Sequence, residues 1–246
     1  MTVPALRRSS PQFPFSEPII DPEILESIKA LPTEDTLPCD DGEPMDTPRH
    51  REQMTILIDS LKAHWADRTG YYVGGNMFVY YDPYHPQRFR GPDFFLVLDV
   101  EERERKSWVV WFEGMHFPEI IIELLSDSTR AEDTGAKKHL YERLFRTPEY
   151  YLYDPFSHAF TAYRLRCGSY TEAPPDAEGQ VFSPLTGLYL AVRQGWLRWL
   201  TPEGEIVPTP WELAQREHQR AEQAQQRAEQ VEQLLEAYRR RFGALE

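Results

Sequence analysis

The sequence predicts a mixed α/β (α+β) domain, a mixed central sheet flanked by helices, followed by a C-terminal helical extension. Three observations lead there. The hydrophobic period runs helix, several strands, helix, strands along the chain, the order of a mixed sheet carrying helices on its faces. Two short runs, Phe94-Phe95-Leu96-Val97-Leu98 and Ile120-Ile121-Ile122, are apolar at successive positions, as strands buried between layers are. The last stretch changes to Gln, Glu and Arg around a seven-residue apolar repeat. At 246 residues the chain is long enough for a sizeable core. With 41% hydrophobic and 13% aromatic residues, wholesale disorder is excluded. No apolar run approaches the ~20 residues of a membrane span, and Met1–Ser10 lacks the apolar stretch of a secretory signal. Two cysteines, Cys39 and Cys167, make neither a disulfide framework nor a cysteine-based zinc site and fit a reducing, cytoplasmic setting.

The elements follow in order. Residues 1–20 are rich in Pro and Ser and read as poorly ordered; a short helix over 21–30 ends at Pro32. Thr47-Pro48 supplies an N-cap and a first-turn proline. From there Met54, Leu57, Ile58, Leu61 and Trp65 recur at three- and four-residue spacing, so an amphipathic helix runs to about residue 67. Residues 71–81 are aromatic and β-rich, with Gly74-Gly75 as a candidate bulge. Strands are expected over 94–100, 108–112 and 119–125, then a helix over 132–145 closed by Pro148. Residues 150–153 and 159–166 read as a strand pair across Asp154-Pro155, followed by strands over 188–192 and 196–200. In the tail, Ala221, Ala224, Ala228, Val231, Leu235, Tyr238 and Phe242 alternate spacings of three and four, a heptad seam.

The net charge of -13 is unevenly placed. Residues 16–46 hold ten acids and one base, whereas 88–146 hold twelve acids against ten bases and are nearly balanced. Acidity therefore belongs mainly to an N-terminal segment, which reads as a solvated arm, and says little about the rest of the surface.

Two acids stand where acids are costly. Glu123 lies inside an apolar strand and shares its face with Ile121 and Leu125. An ionised carboxylate there requires a cation, a metal or protonation; a structural salt bridge with a nearby arginine is the other reading. Asp93 sits at the mouth of the preceding buried strand, in Gly91-Pro92-Asp93, where Pro-Asp is also ordinary turn chemistry. Neighbouring strands lie ~5 Å apart, so one divalent cation could take oxygens from both. Further on, Asp133, Lys137 and Tyr141 fall at four-residue intervals on one helical face. The Asp133–Lys137 pair is either a surface ion pair or a cation aimed at the two carboxylates.

These blocks together resemble a known family. Pro92-Asp93, Glu123 followed by Leu-Leu-Ser126-Asp127-Ser128-Thr129, Asp133-Thr-Gly135-Ala-Lys137 through Tyr141, and Pro148-Glu149-Tyr150-Tyr151 through Asp154-Pro155 are similar to the Uma-type restriction endonucleases. That family has the restriction-endonuclease-like PD-(D/E)xK fold. The similarity spans about 41–166 and is strongest over 91–155. It implies that Asp93 and Glu123 bind Mg²⁺ or Mn²⁺. The family's usual lysine lies two residues after the acid, where this chain has Leu125; the resemblance places a migrated lysine at Lys137, with Lys138 ranked second because it points about 100° away around the helix. His50 and Glu43 also look like family positions, without an assigned role.

The reading is a metal-dependent endonuclease hydrolysing DNA phosphodiester bonds, with Asp93, Glu123 and Lys137 as catalytic residues. Arg88, Arg90, Arg130 and Arg146 are candidates for phosphate contacts. Two other readings stand beside it: a catalytically degenerate nuclease fold acting as an interaction or assembly module, and a nuclease for RNA or modified nucleic acid. The expected organisation is an acidic, proline-rich arm over 1–40, the nuclease-like domain over 41–209, and a long helix over 210–246. The last is a candidate homodimer contact.

Overall fold

A computed structural model describes residues 22–39, 47–126 and 128–243. At its centre is a six-stranded mixed sheet. It orders β1 (Tyr71–Gly74), β4 (Phe94–Leu98), β6 (Ile120–Leu124), β7 (Glu149–Tyr153), β8 (Phe160–Arg166) and β9 (Ser169–Glu172) from edge to edge. Within this sheet, among the described residues, only the central β6–β7 pair is parallel. That pair needs a crossover, and the chain supplies it as a helical stretch: α3 (Arg130–Glu132), a π-helical turn Asp133–Lys137, α4 (Lys138–Leu140) and a second π-helical turn Tyr141–Phe145. Arg146, at φ 55°, ends the stretch in the left-handed region. The expected mixed sheet with flanking helices and a C-terminal helix is what the chain forms.

Alternation along the strands sorts side chains into two cores. Phe94, Leu96, Ile120, Ile122 and Leu124 face one layer, packing with Leu57, Leu61 and Trp199. That layer contains α2 (Pro48–His64) and a three-stranded sheet of β10 (Gln180–Ser183), β11 (Leu188–Arg193) and β12 (Trp196–Leu200). Phe95, Val97, Ile121 and Leu125 face the other, with Tyr141, Phe145 and Trp108. Glu123, being odd-numbered on β6, belongs to this second face. It therefore looks toward the crossover helix.

A second three-stranded sheet joins β2 (Val79–Tyr80), β3 (Phe89–Arg90) and β5 (Trp108–Val109). The described part of the acidic N-terminal segment lies against it. Helix α1 (Pro22–Lys29) leads into residues where Leu37 is buried, the Trp111 indole donates to the Pro32 carbonyl, and Lys106 and Arg103 pair with Asp35 and Glu34.

The aromatic run over 71–81 is not one strand with a bulge. It breaks after Gly74, and its two ends join different sheets. Gly75 has a steric reason to be glycine: a Cβ there would overlap the Asp93 carbonyl oxygen and crowd Ile58 and Met54. Asn76, at φ 49°, then donates its amide to the Pro92 carbonyl at 2.9 Å. The break thus lets one loop clasp the segment that carries Asp93. Strand β5 is shorter than expected because the chain turns at Val110. Strands β9 and β10 escaped the sequence reading because Ser-Tyr-Thr-Glu and Gln-Val-Phe-Ser lack a clear apolar alternation.

Helix α5 (Pro210–Phe242) starts from a capping box between Thr209 and Glu212. The Glu212 carboxylate is also gripped by the buried Arg198 guanidinium at 2.9 and 2.7 Å. The Arg198 hydrogen bond, outweighing burial, holds the Glu212 carboxyl down at about 2.

Two outcomes follow. Gly75→Ala should lose at least about 2 kcal/mol by overpacking, read as a fall in Tm of roughly 4–8 °C. Because the Glu212 pKa is depressed on folding, its contribution is present above the ordinary value of 4.5 and is lost as pH falls toward about 2. Glu212→Gln should therefore cost about 1 kcal/mol at pH 7, the partly exposed pair being screened. The gap between variant and parent should close in urea titrations at the acid end.

Candidate active site

The antiparallel register of β4 and β6 pairs Phe94 with Ile122. One step further along, the same register sets Asp93 opposite Glu123. The contacts agree: the Asp93 amide donates to Glu123 Oε2 at 3.4 Å, and the Leu124 amide donates to Asp93 Oδ2 at 2.8 Å. The other Asp93 oxygen, Oδ1, lies 2.7 Å from His50 Nε2. His50 occupies the first turn of α2, its amide bound by the Thr47 N-cap hydroxyl. A clasped loop, a paired strand and a capped helix thus fix one aspartate. Its side chain keeps 18% exposure, whereas that of Glu123 keeps 1%.

The crossover helix closes the site from the second face. Lys137 Nζ stands 3.4 Å from Glu123 Oε1 and 2.8 Å from Asp133 Oδ1. The Tyr141 hydroxyl donates to the same Glu123 oxygen at 2.9 Å. The Tyr150 hydroxyl donates to the Asp133 carbonyl at 2.8 Å and ties the helix to β7. The π-helical turns contribute to this alignment. Residues four apart overshoot one turn of an α-helix and fall short of one in a wider π-turn, so alternating the two cancels the drift. Asp133, Lys137 and Tyr141 stay on one line.

Electrostatics follow from burial. Loss of water pushes Glu123 up to about 8, against the pull of Lys137 and with the push of Asp93 and Asp133. Burial also raises Asp133, and Lys137 opposes it. Burial works against the charge on Lys137, yet Glu123 and Asp133 outweigh it and hold the ammonium above its ordinary range. One lysine thus serves both Glu123 and Asp133, with Asp93 close by, and Glu123 is held largely protonated at neutral pH for want of further positive charge.

That shortage bears on the metal the family resemblance implies. Asp93 and Glu123 offer hard carboxylate oxygens on adjacent strands, the donor type Mg²⁺ and Mn²⁺ take. Among the described residues no group of three His, Cys, Asp or Glu forms a complete ligand cluster. An ion held by these two carboxylates would complete its shell with water, backbone carbonyl or phosphate oxygens, as Mg²⁺ commonly does. In donor chemistry the two residues suit such an ion.

The sequence-derived residues therefore divide cleanly. Asp93, Glu123, Lys137 and His50 come together; Glu43 and Asp127 lie outside the described residues. Lys138 points elsewhere, its ammonium 3.6 Å over the Tyr163 ring. The cation of Glu123 is this lysine and not an arginine. Of the four arginines, Arg88 pairs with Asp82, Arg90 approaches Glu132 at 4.0 Å, and Arg130 pairs with Asp154; Arg146 is exposed at the helix end. Hydrogen bonds from Ser157, the Phe156 amide and Arg130 outweigh burial and hold Asp154 well below the usual carboxylate range.

The sequence reading missed a cleft of about 460 Å³ past the end of β6, lined among others by Thr47, Ser126, Ser128, Arg130, Asp154 and Phe156. It borders both elements that carry the site, since Thr47 caps the helix of His50 and Leu125 on its wall follows Glu123 by two residues. Its signal in the sequence is the run of small polar residues Ser126-Asp127-Ser128-Thr129 that follows the apolar strand.

A family model described as "Putative restriction endonuclease" matches residues 26–193. No curated protein matches the chain. A crystal structure described as a putative nuclease belonging to DUF820, from Anabaena variabilis ATCC 29413, is similar at 14% identity with a TM-score of 0.44. That likeness covers 66% of this chain and 89% of the other.

Adjacent lysines provide the test of the site's electrostatics. Lys137→Met leaves buried carboxylates without their cation and should cost roughly 3–5 kcal/mol, read from the urea midpoint. Lys138→Met removes a cation–π contact and should cost about 0.5–1 kcal/mol. Equal losses would mean that Lys137 does not carry the cluster.

Proposed function

The chain belongs to the Uma2 family, described as "Putative restriction endonuclease", and from that premise we propose that it is a metal-dependent endonuclease hydrolysing DNA phosphodiester bonds. The observation that carries the reading is the joint placement of Asp93, Glu123 and Lys137 around one buried, charge-deficient point. A purely structural salt bridge would not need a second carboxylate opposite the first and a third behind the lysine.

In this reading Asp93 and Glu123 hold Mg²⁺ or Mn²⁺, which when bound would polarise the phosphate and favour ionisation of a water. The chain's own residues do the rest. His50 holds the Asp93 carboxylate by one oxygen and the Leu124 amide holds it by the other, so the aspartate cannot rotate away. Tyr141 orients Glu123. Lys137, steadied by Asp133, offsets negative charge gathering on the phosphate and can donate a hydrogen bond to the attacking water. A water gives up a proton as its oxygen bonds to phosphorus, the P–O ester bond breaks, and the leaving ester oxygen takes up a proton in its place. The serine hydroxyls and Arg130 of the cleft suit phosphate oxygens. Phe156, 63% exposed at its edge, offers a face on which a base can stack.

We assign the catalytic unit to residues 41–209 and treat 210–246 as an extension. The exposed free thiols Cys39 and Cys167 suit a reducing cytoplasm, and no helix among the described residues is long and apolar enough to cross a membrane.

Cleavage of single- and double-stranded DNA and of RNA with Mg²⁺ or Mn²⁺ tests the reading. Asp93→Asn and Glu123→Gln should each lower the rate at least about 100-fold with circular dichroism unchanged. Cation-dependent cleavage confined to RNA would replace DNA as substrate. Parent protein inert on all three, with either cation, would leave the degenerate interaction module as the reading.

A further inference from the structure

Beyond Glu212, every residue of α5 from 213 to 241 is exposed. The helix is fastened at its root by Thr209 and Arg198, and beyond that root its side chains are exposed. A solvated helix has no reason to keep an apolar stripe, yet Val231, Leu235 and Tyr238 stand 64%, 38% and 45% exposed in heptad register. With Ala221, Ala228 and Leu235 at the a positions, Ala224, Val231 and Tyr238 fall at d. Leu234, 72% exposed, flanks the seam at g.

The flanking charges say what covers this stripe and in which direction. Arg227 lies at g, and its neighbours three and four residues away are Gln223, Ala224, Gln230 and Val231. No acid is within its helical reach. Glu232 lies at e, between Glu229 and Glu236, an unfavourable place on an isolated helix. In a parallel two-stranded coiled coil a g residue meets the e residue five positions on in the other chain. Arg227 of each copy then meets Glu232 of the other, twice by symmetry. The antiparallel arrangement that overlaps the whole seam sets Arg220 against Arg241 and Glu232 against the neutral Gln225. Like charges would oppose it.

We propose that α5 pairs with α5 of a second copy of this chain as a parallel, in-register coiled coil joined by reciprocal Arg227–Glu232 pairs. The two root ends then lie side by side, and both domains hang from the same end of the stalk. The inference is independent of the nuclease reading, because it uses no residue of the candidate active site.

The test is the solution mass of the full chain by sedimentation equilibrium across a concentration series. The parent should approach twice the chain mass. A V231E/L235E variant should remain monomeric with the domain's Tm unchanged. Arg227→Glu and Glu232→Arg should each weaken association about tenfold, and the double reversal R227E/E232R should restore it. Glu232→Arg adds favourable neighbours within its own helix, so a loss there cannot be blamed on lower helicity. Direction is read by oxidation: in a C39S/C167S background, V231C should form an interchain disulfide, because position 231 meets itself only in the parallel arrangement. A parent monomeric at all concentrations overturns the proposal. Association that ignores both charge reversals, or fails to recover in the double variant, overturns the Arg227–Glu232 pairing. No disulfide from V231C in a dimeric protein overturns the parallel orientation.

Discussion

A carboxylate with no access to water dominates this structure. Glu123 lies in the central strand of the central sheet, apolar neighbours on either side, and nothing on β6 can stabilise its charge. The compensation has to come from outside the strand, and the crossover helix delivers it as Lys137 and Tyr141. That demand explains the buried Asp133 behind the lysine, the π-helical turns that keep three side chains in line, and the Tyr150 hydroxyl that ties the helix to β7. Buried ion pairs are often no more stable than hydrophobic residues of the same volume. On the proposed function, the arrangement is a site kept ready for a cation.

Asp93 shows the same logic at the edge of the core. It is held through both oxygens and through the backbone around it, yet keeps part of its surface open. The glycine at position 75 is the least replaceable part of this hold, since its missing side chain is where the Asp93 carbonyl sits. Rigid on one side and open on the other is what a ligand-binding carboxylate requires.

Much of this was legible in the sequence, for identifiable reasons. Apolar runs with a single acid inside announce both a buried strand and its anomaly, and period-two alternation fixes the face of Glu123. Four-residue spacing gathers Asp133, Lys137 and Tyr141. What the pattern could not supply was long-range steric detail. The break between Gly74 and Gly75 depends on a carbonyl eighteen residues away in the chain. Strands β9 and β10 form because neighbours offer free backbone groups, with little help from their polar side chains. The cleft brings together Thr47, the cap of α2, and Ser126, just past the end of β6, which are far apart in the chain, and pairing turns Arg130 toward Asp154. The net charge of -13 proved a poor guide, because part of the acidic segment is spent on Arg103 and Lys106.

The proposed function requires Asp93 and Glu123 to form one cation site, and anomalous diffraction from crystals soaked in Mn²⁺ tests this. The expected result is a single strong peak at roughly 2.0–2.6 Å from a carboxylate oxygen of each residue, with Lys137 still paired to Asp133. A peak bound to only one of the two, or none at this position while Mn²⁺ occupies other sites, would rule out a shared cation site.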